Sequence, residues 1–311
     1  MPAYVHLGSG LLTSLILRDL IEAGVKPTIF LADYHAWING KMGGDLEKIQ
    51  SVARGYFKSA FLSLGLDEGK VDYVLASEVY GKDYWKDVLR ISKDTTLARM
   101  LRCTTIMGRT QKESMDCASV LYPAMQAADI FMLNVDIMHA GMDQRKVHML
   151  AREVLPAGAK KPVAIHHQLL MGLQGPAKMG FEEGAADDIA ISSKMSKSKP
   201  DSCIFIHDSE DEIKRKLRGA YCPEKKAEEN PVLEMCEHFI LRDEKSTLKI
   251  ERPAKFGGDV EFASYAELRD SYVSGKLHPM DLKAAVGTSL SRMLGPSRKY
   301  FESHPELLAQ L

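Results

Sequence analysis

Four short apolar runs, at residues 27–32, 71–76, 133–137 and 162–165, constrain this chain most. Runs of this kind read as strands buried on both faces. Longer stretches with helical spacing, such as 46–64 and 85–100, separate them. Strand–helix alternation of this type predicts an α/β fold built on a doubly wound parallel sheet, Rossmann-like in type. Such sheets bind ligands beyond the carboxyl ends of their strands. Polar residues gather at those ends: Asp33 and His35, Ser77 and Glu78, His166 and His167.

The pattern changes near residue 206. Beyond it the spacing predicts helices over 210–219, 231–240, 265–274 and 279–293, with a hairpin pairing 247–250 with 259–262. The expected organisation is a catalytic domain over 1–205 and a mainly helical domain over 206–311. A length of 311 residues accommodates both. The 41 basic residues balance 42 acidic ones, which excludes a uniformly basic nucleic-acid coat but not a local basic patch such as 214–218. No apolar run approaches the ~18 residues of a membrane span. The apolar stretch 11–17 lacks a basic region before it, so no secretory signal is expected. Five scattered cysteines fit reduced thiols in a cytoplasmic protein, and their spacing suggests no metal site.

Two motifs carry chemistry. Lys194-Met195-Ser196-Lys197-Ser198 places mobile cations among hydroxyls, which suits a clamp for polyphosphate; a solvated basic loop has the same composition. His6-Leu7-Gly8-Ser9-Gly10 precedes a helical run, where glycines and free N–H groups can meet phosphate, although Ser9 could equally be a plain helix cap. Together and in this order they resemble the HIGH and KMSKS motifs of class I aminoacyl-tRNA synthetases. The second matches in full; in the first, Ser9 stands where the family has its final histidine.

Further segments narrow the resemblance. Tyr122, Gln126 and Asp129 recur at helical spacing and make one polar stripe on an apolar segment. Pro123 suggests that Tyr122 lies at the helix start. Gly141-Met142-Asp143-Gln144 follows, with Asp143 positioned to cap the next helix or to hold a ribose hydroxyl. With 32–36, 255–259 and 277–283, these segments look like tyrosyl-tRNA synthetases of the archaeal and eukaryotic type, over nearly the whole chain.

That resemblance implies ATP as co-substrate with Mg²⁺, and tyrosine and tRNA(Tyr) as partners of a homodimer that needs no membrane. His6, Lys194 and Lys197 would be catalytic. Gly8, Ser9, Gly141, Asp143, Met195, Ser196 and Ser198 would complete the ATP site. Asp129 would take the phenol hydroxyl, Tyr122, Gln126 and Gln144 would hold the amino group, and His35 would line the pocket. Phe256, His278, Pro279 and Asp281 would face the anticodon, and Arg145 the acceptor stem. From spacing alone, Phe256 in the core and Asp281 as a helix cap is the favoured reading. The family pattern also has a strand before the HIGH motif, carrying a tyrosine that reaches the phenol, and only five residues precede His6 here. The expectation is therefore a shortened start with an open sheet edge or slot. A tRNA-binding relative without catalysis and a tryptophanyl enzyme are the other readings, and the Tyr122–Asp129 stripe argues against the latter.

Overall fold

The computed structural model describes residues 4–108, 115–176, 195 and 200–311. Six strands are present among them. β1 (Thr28–Leu31) pairs with β2 (Asp72–Leu75), and β3 (Ile137–Gly141) pairs with β4 (Val163–His167) in parallel, Ile137 opposite Val163 and Gly141 opposite His167. β5 (Leu248–Ile250) and β6 (Val260–Phe262) form the expected antiparallel hairpin. β1, β2 and β4 fall where the apolar runs predicted. β3 does not: it begins where the predicted run 133–137 ends. The preceding helix, Cys117–Met132, ends only at its Leu133 cap, the first residue of that run, and the chain then turns through Asn134 in the left-handed conformation (φ 47°).

That helix also starts earlier than Pro123 suggested. The Asp116 carboxylate caps it, accepting from the Ser119 N–H at 2.7 Å. Pro123 therefore sits inside the helix, where its ring removes one hydrogen bond from the ladder. The cost is tolerated because the helix is clamped in a core, with Ala124, Ala127 and Ala128 buried beside Ile91, Cys103 and Leu150.

The chain forms two compact units, one of Met1–Thr28, Gly55–Asp72 and Leu170–Leu311, the other of Ile29–Arg54 and Tyr73–Leu169. This division does not follow a single boundary at 206. The reason is visible in the first unit: the Leu7 N–H donates to Ile204 O at 3.0 Å and the Ile206 N–H to Val5 O at 3.1 Å. The beginning of the chain is thereby stitched to the segment that leads into the C-terminal helices. Tyr56, fully buried, accepts from the Val5 N–H at 2.8 Å. Gly10 follows in a wide π-type turn, Gly8–Leu12, that opens into the helix Thr13–Glu22. A Cβ at Gly10 would lie 2.5 Å from Val5 Cγ1 and 3.0 Å from Ile206 Cγ2, so only glycine allows this approach.

The C-terminal helices Glu210–Gly219 and Pro279–Met293 match the sequence expectation and pack on each other. Ile213, Leu217, Leu282, Val286 and Leu290 are among their buried residues. The basic run 214–218 is not a free phosphate track. Lys214 pairs with Glu210 at 2.6 Å, Arg215 with Asp201 at 2.6 Å and Glu212 at 2.7 Å, and the buried Lys216 with Asp208 at 2.7 Å. Lys214 and Arg215 pair on the solvated face of the helix, while Lys216 alone is buried with its partner. The five cysteines are all free thiols. Among the described residues, no helix is long and apolar enough to cross a membrane.

Candidate active site

The polar stripe of the Cys117–Met132 helix points into its own unit rather than to water. Asp129 is 5% exposed. Its Oδ1 accepts from the Tyr80 hydroxyl at 2.6 Å. Its Oδ2 lies 3.5 Å from His35 Nε2. Burial takes the His35 imidazole down to about 4, with Asp33 opposing part of the shift. The imidazole is therefore neutral near pH 7 and this approach is not an ion pair. Neither ring nitrogen of His35 has a hydrogen-bond partner among the described residues, a deficit that a bound polar ligand can fill. Tyr122 meets the His35 ring edge-on, centroids 4.6 Å apart. Burial raises the Tyr122 phenol to about 12 and lifts the Asp129 carboxyl to about 7, in the latter case against the pull of the Tyr80 hydroxyl.

The remaining stripe residue meets the other expected one. Gln126 Nε2 donates to Gln144 Oε1 at 3.1 Å, and Gln144 Nε2 to Ile106 O at 3.1 Å. Two residues far apart in sequence thus present one amide pair with fixed polarity. His35, Tyr122, Gln126, Asp129 and Gln144 all belong to one unit. Asp33, by contrast, is a structural tie. Its carboxylate accepts from the backbone N–H of Tyr34 (2.9 Å) and of Ser77 (3.1 Å) and from Gln50 (3.1 Å). It joins the ends of β1 and β2.

At the carboxyl end of β3, Gly141 leads into a short 3₁₀ turn, Met142–Gln144. Asp143 lies inside this turn. The following helix, Arg145–Glu153, has Gln144 at its cap position with no side-chain cap, so Asp143 is not the cap that the sequence allowed. A Cβ on Gly141 would stand 2.8 Å from Asp143 Oδ1, 3.0 Å from Leu169 Cδ2 and 3.5 Å from His167 Nε2. The glycine keeps this corner open. Beside it, His167 Nδ1 and His139 Nε2 are 3.0 Å apart, and burial takes His139 down to about 4. Two neutral imidazoles sharing one proton donor fit that distance. Arg145 is exposed at the start of its helix.

In the other unit, His6 folds its ring back so that Nδ1 accepts from the Gly8 N–H at 3.1 Å. Ser9 Oγ accepts from the His6 N–H at 3.3 Å, so this serine braces the turn that presents the histidine. A Cβ at Gly8 would lie 3.8 Å from Leu170 Cδ1, and Leu170 O accepts from the Met195 N–H at 2.9 Å. Leu170 thus links the two motifs within one unit. Met195 is buried; Lys194, Ser196, Lys197 and Ser198 lie outside the described residues.

Phe256 is 59% exposed, with Lys255 Nζ 4.9 Å from its ring centroid, so it is not a core residue. His278, not Asp281, caps the helix Pro279–Met293, its Nδ1 accepting from the Met280 N–H at 3.2 Å. Asp281 follows in the first turn, leaving its carboxylate without a capping duty, and Pro279 is buried at the first helical position. Tyr80 was not anticipated from sequence. Its signal was faint: it directly follows the short helix that β2 runs into, and it stands four residues before Tyr84.

A buried carboxylate, an amide pair and a glycine-opened corner beyond a parallel strand lie in one unit of an α/β chain that belongs to the class I tRNA synthetases. The family model for class I tRNA synthetases of the tryptophan and tyrosine branch matches residues 2–192 and 186–295. The tyrosine–tRNA ligase of Thermococcus sibiricus is 51% identical, over 99% of this chain and 86% of its own length. That of Thermococcus kodakarensis is 52% identical with the same coverage. The crystal structure of the Pyrococcus horikoshii tyrosyl-tRNA synthetase complexed with L-tyrosine superposes with a TM-score of 0.92 at 49% identity, covering 99% of this chain and 87% of that one. A tryptophanyl-tRNA synthetase from Aeropyrum pernix shares the fold, with a TM-score of 0.72 at 20% identity. The chain belongs to the tyrosine–tRNA ligase family.

Proposed function

We propose that this chain activates tyrosine with ATP and transfers it to tRNA(Tyr), with the following division of labour. Asp129 accepts a hydrogen bond from the substrate phenol through Oδ2. Phenylalanine would leave that oxygen buried and unpaired, and the penalty for an unpaired buried group is the source of discrimination. Tyr122, Gln126 and Gln144 receive the α-amino group, and His35 closes the pocket beside the ring. Asp143 takes the ribose, in the corner kept open by Gly141. His6, Gly8 and Ser9, with Lys194 to Ser198, hold the phosphates.

A carboxylate oxygen of tyrosine attacks the α-phosphorus in line, the bond to the bridging oxygen of pyrophosphate breaks, and pyrophosphate leaves with its electron pair. The carboxylate is already ionised, so no general base is needed, and positioning with charge stabilisation carries the rate. The terminal hydroxyl of the tRNA then attacks the acyl carbon and AMP departs. Mg²⁺ accompanying the ATP would neutralise charge on the leaving pyrophosphate; among the described residues no three His, Cys, Asp or Glu side chains group to hold a metal ion. In this reading Phe256 stacks an unpaired base and Asp281 accepts from a base edge; the exposure of Phe256 supports it. His278 and Pro279 shape that surface, with the anticodon-binding region over 206–311 and Arg145 reserved for the acceptor stem.

Trp85, Leu89, Leu97 and Leu121 are exposed apolar residues of one unit, 43%, 68%, 64% and 40% exposed. They support a homodimer through this unit, in a cytoplasmic setting suited to the free thiols. The buried Asp129, with one oxygen on the Tyr80 hydroxyl and the other 3.5 Å from His35, supports the substrate assignment best. The test is ATP–pyrophosphate exchange by the purified chain with tyrosine, tryptophan or phenylalanine. Exchange with tyrosine alone is the expected result; exchange driven by tryptophan would overturn the substrate assignment.

A further inference from the structure

Asp129 is held by a residue that no motif contains. Tyr80 ends the short helix Ala76–Val79, and its N–H donates back to Ala76 O at 3.1 Å. Its ring is stacked between two others. The Tyr84 ring lies 3.6 Å away and the Tyr34 ring 5.6 Å away, centroid to centroid, each within 10° of parallel. Trp85 meets the Tyr80 ring edge-on at 5.9 Å. Tyr84 is itself anchored, its hydroxyl donating to Met125 O at 3.3 Å. The stack leaves the Tyr80 hydroxyl one direction, and in it lies Asp129 Oδ1 at 2.6 Å.

We propose that Tyr80 is a specificity-determining positioning residue, which fixes one oxygen of Asp129 so that the other, Oδ2, is aimed at a substrate hydroxyl. The inference rests on the tyrosine-activation reading for its substrate and on this chain's own geometry for its mechanism. A carboxylate with both oxygens free can rotate; one pinned by a phenol is held, and its second oxygen then lies 3.5 Å from His35 Nε2, a ring whose nitrogens make no hydrogen bond among the described residues. A short hydrogen bond to the charged form also favours that form. The titratable groups facing Asp129 come from every element around it. They are Tyr80 after its short helix, Tyr84 from the helix Lys82–Asp94, His35 from Asp33–Ile38, and Tyr122 from Asp129's own helix. Of these, the Tyr80 and Tyr84 hydroxyls favour the ionised carboxylate, while burial opposes it.

Tyr80→Phe removes one oxygen and keeps the stacked ring. The first arm uses the ligand-free protein and follows the Asp129 carboxyl by carbon NMR, with Asp129→Asn identifying the signal. The expected result is a midpoint raised by about one pH unit, the equivalent of about 1.4 kcal/mol. An unmoved midpoint overturns the inference, whether or not the chain activates tyrosine. The second arm is tyrosine-dependent exchange across pH 6 to 9. The expected result is a KM for tyrosine raised about tenfold at pH 7, with kcat within about twofold, the mark of lost uniform binding. The KM of the variant should also climb at a higher pH than that of the parent. A lowered KM would mean that Tyr80 occupies the substrate's place and blocks it, and would overturn the proposal. Absence of exchange in the parent protein itself would sink the activity reading, while the first arm would still decide the role of Tyr80.

Discussion

Replacing Asp129 by asparagine should make this protein more stable and less useful. The Asp129 carboxyl is raised by burial from 3.8 to about 7. That is roughly three units, and at about 1.4 kcal/mol per unit the ionised form costs about 4 kcal/mol of folding stability. The native state binds the proton more tightly than the unfolded chain. Stability from this group therefore falls as pH rises from about 4 to about 7, and is level above that. Asparagine has nearly the same shape, can still accept from Tyr80, and does not titrate. Its advantage over the parent should be near zero at about pH 4 and reach about 4 kcal/mol at pH 8, with about half of it developing between pH 5.5 and 8. Urea unfolding of both proteins at these two pH values, followed by tryptophan fluorescence, measures the difference. A variant no more stable than the parent at pH 8, or a gap that does not widen with pH, would refute the reasoning. In the same preparations the KM for tyrosine should rise tenfold or more, since a charge-assisted hydrogen bond contributes about 1.5–3 kcal/mol.

Other outcomes follow from the remaining elements. Gly141→Ala sets a methyl 2.8 Å from Asp143 Oδ1, so the KM for ATP should rise several-fold while that for tyrosine stays level; an equal rise in both would place the fault in folding. Lys194→Ala and Lys197→Ala should slow adenylate formation by at least tenfold in single-turnover assays with tyrosine binding little changed, about the scale of one lost charge-assisted contact. A large loss of tyrosine affinity would speak against a phosphate clamp. Asp281→Ala should lower tRNA charging about tenfold, a typical cost for one base-specific hydrogen bond, and leave pyrophosphate exchange intact; parallel loss of both would point to structural damage.

Motif chemistry was legible where local physics decides it. The helix at 210–219 is announced by Ser209 at its cap, and the helix at 279–293 by Pro279 at its first position, and both stand where the pattern put them. The stripe of Tyr122, Gln126 and Asp129 was legible because helical spacing places such residues on one side. What the pattern missed has non-local causes. β3 uses Ile137-Met138-His139-Ala140-Gly141, whose histidine and glycine do not look like a strand; pairing with β4 makes it one. The π-type turns at Gly8–Leu12, Ala53–Phe57 and Cys236–Ile240 carry no compositional mark that separates them from ordinary helix. The division into two units depends on a few backbone bonds between 5–7 and 204–206, which no window of sequence contains. Tyr80 reaches a partner 49 positions away, and nothing in its own neighbourhood, beyond Tyr84, marks it.

The central claim is that Asp129 reads the phenol hydroxyl. The most direct measurement is the ratio of kcat/KM for tyrosine to that for phenylalanine in pyrophosphate exchange, taken for the parent protein and for Asp129→Ala. The account expects the ratio to collapse by at least tenfold, through lost activity on tyrosine with phenylalanine unchanged or improved. An unchanged ratio, with both substrates falling together, would contradict it.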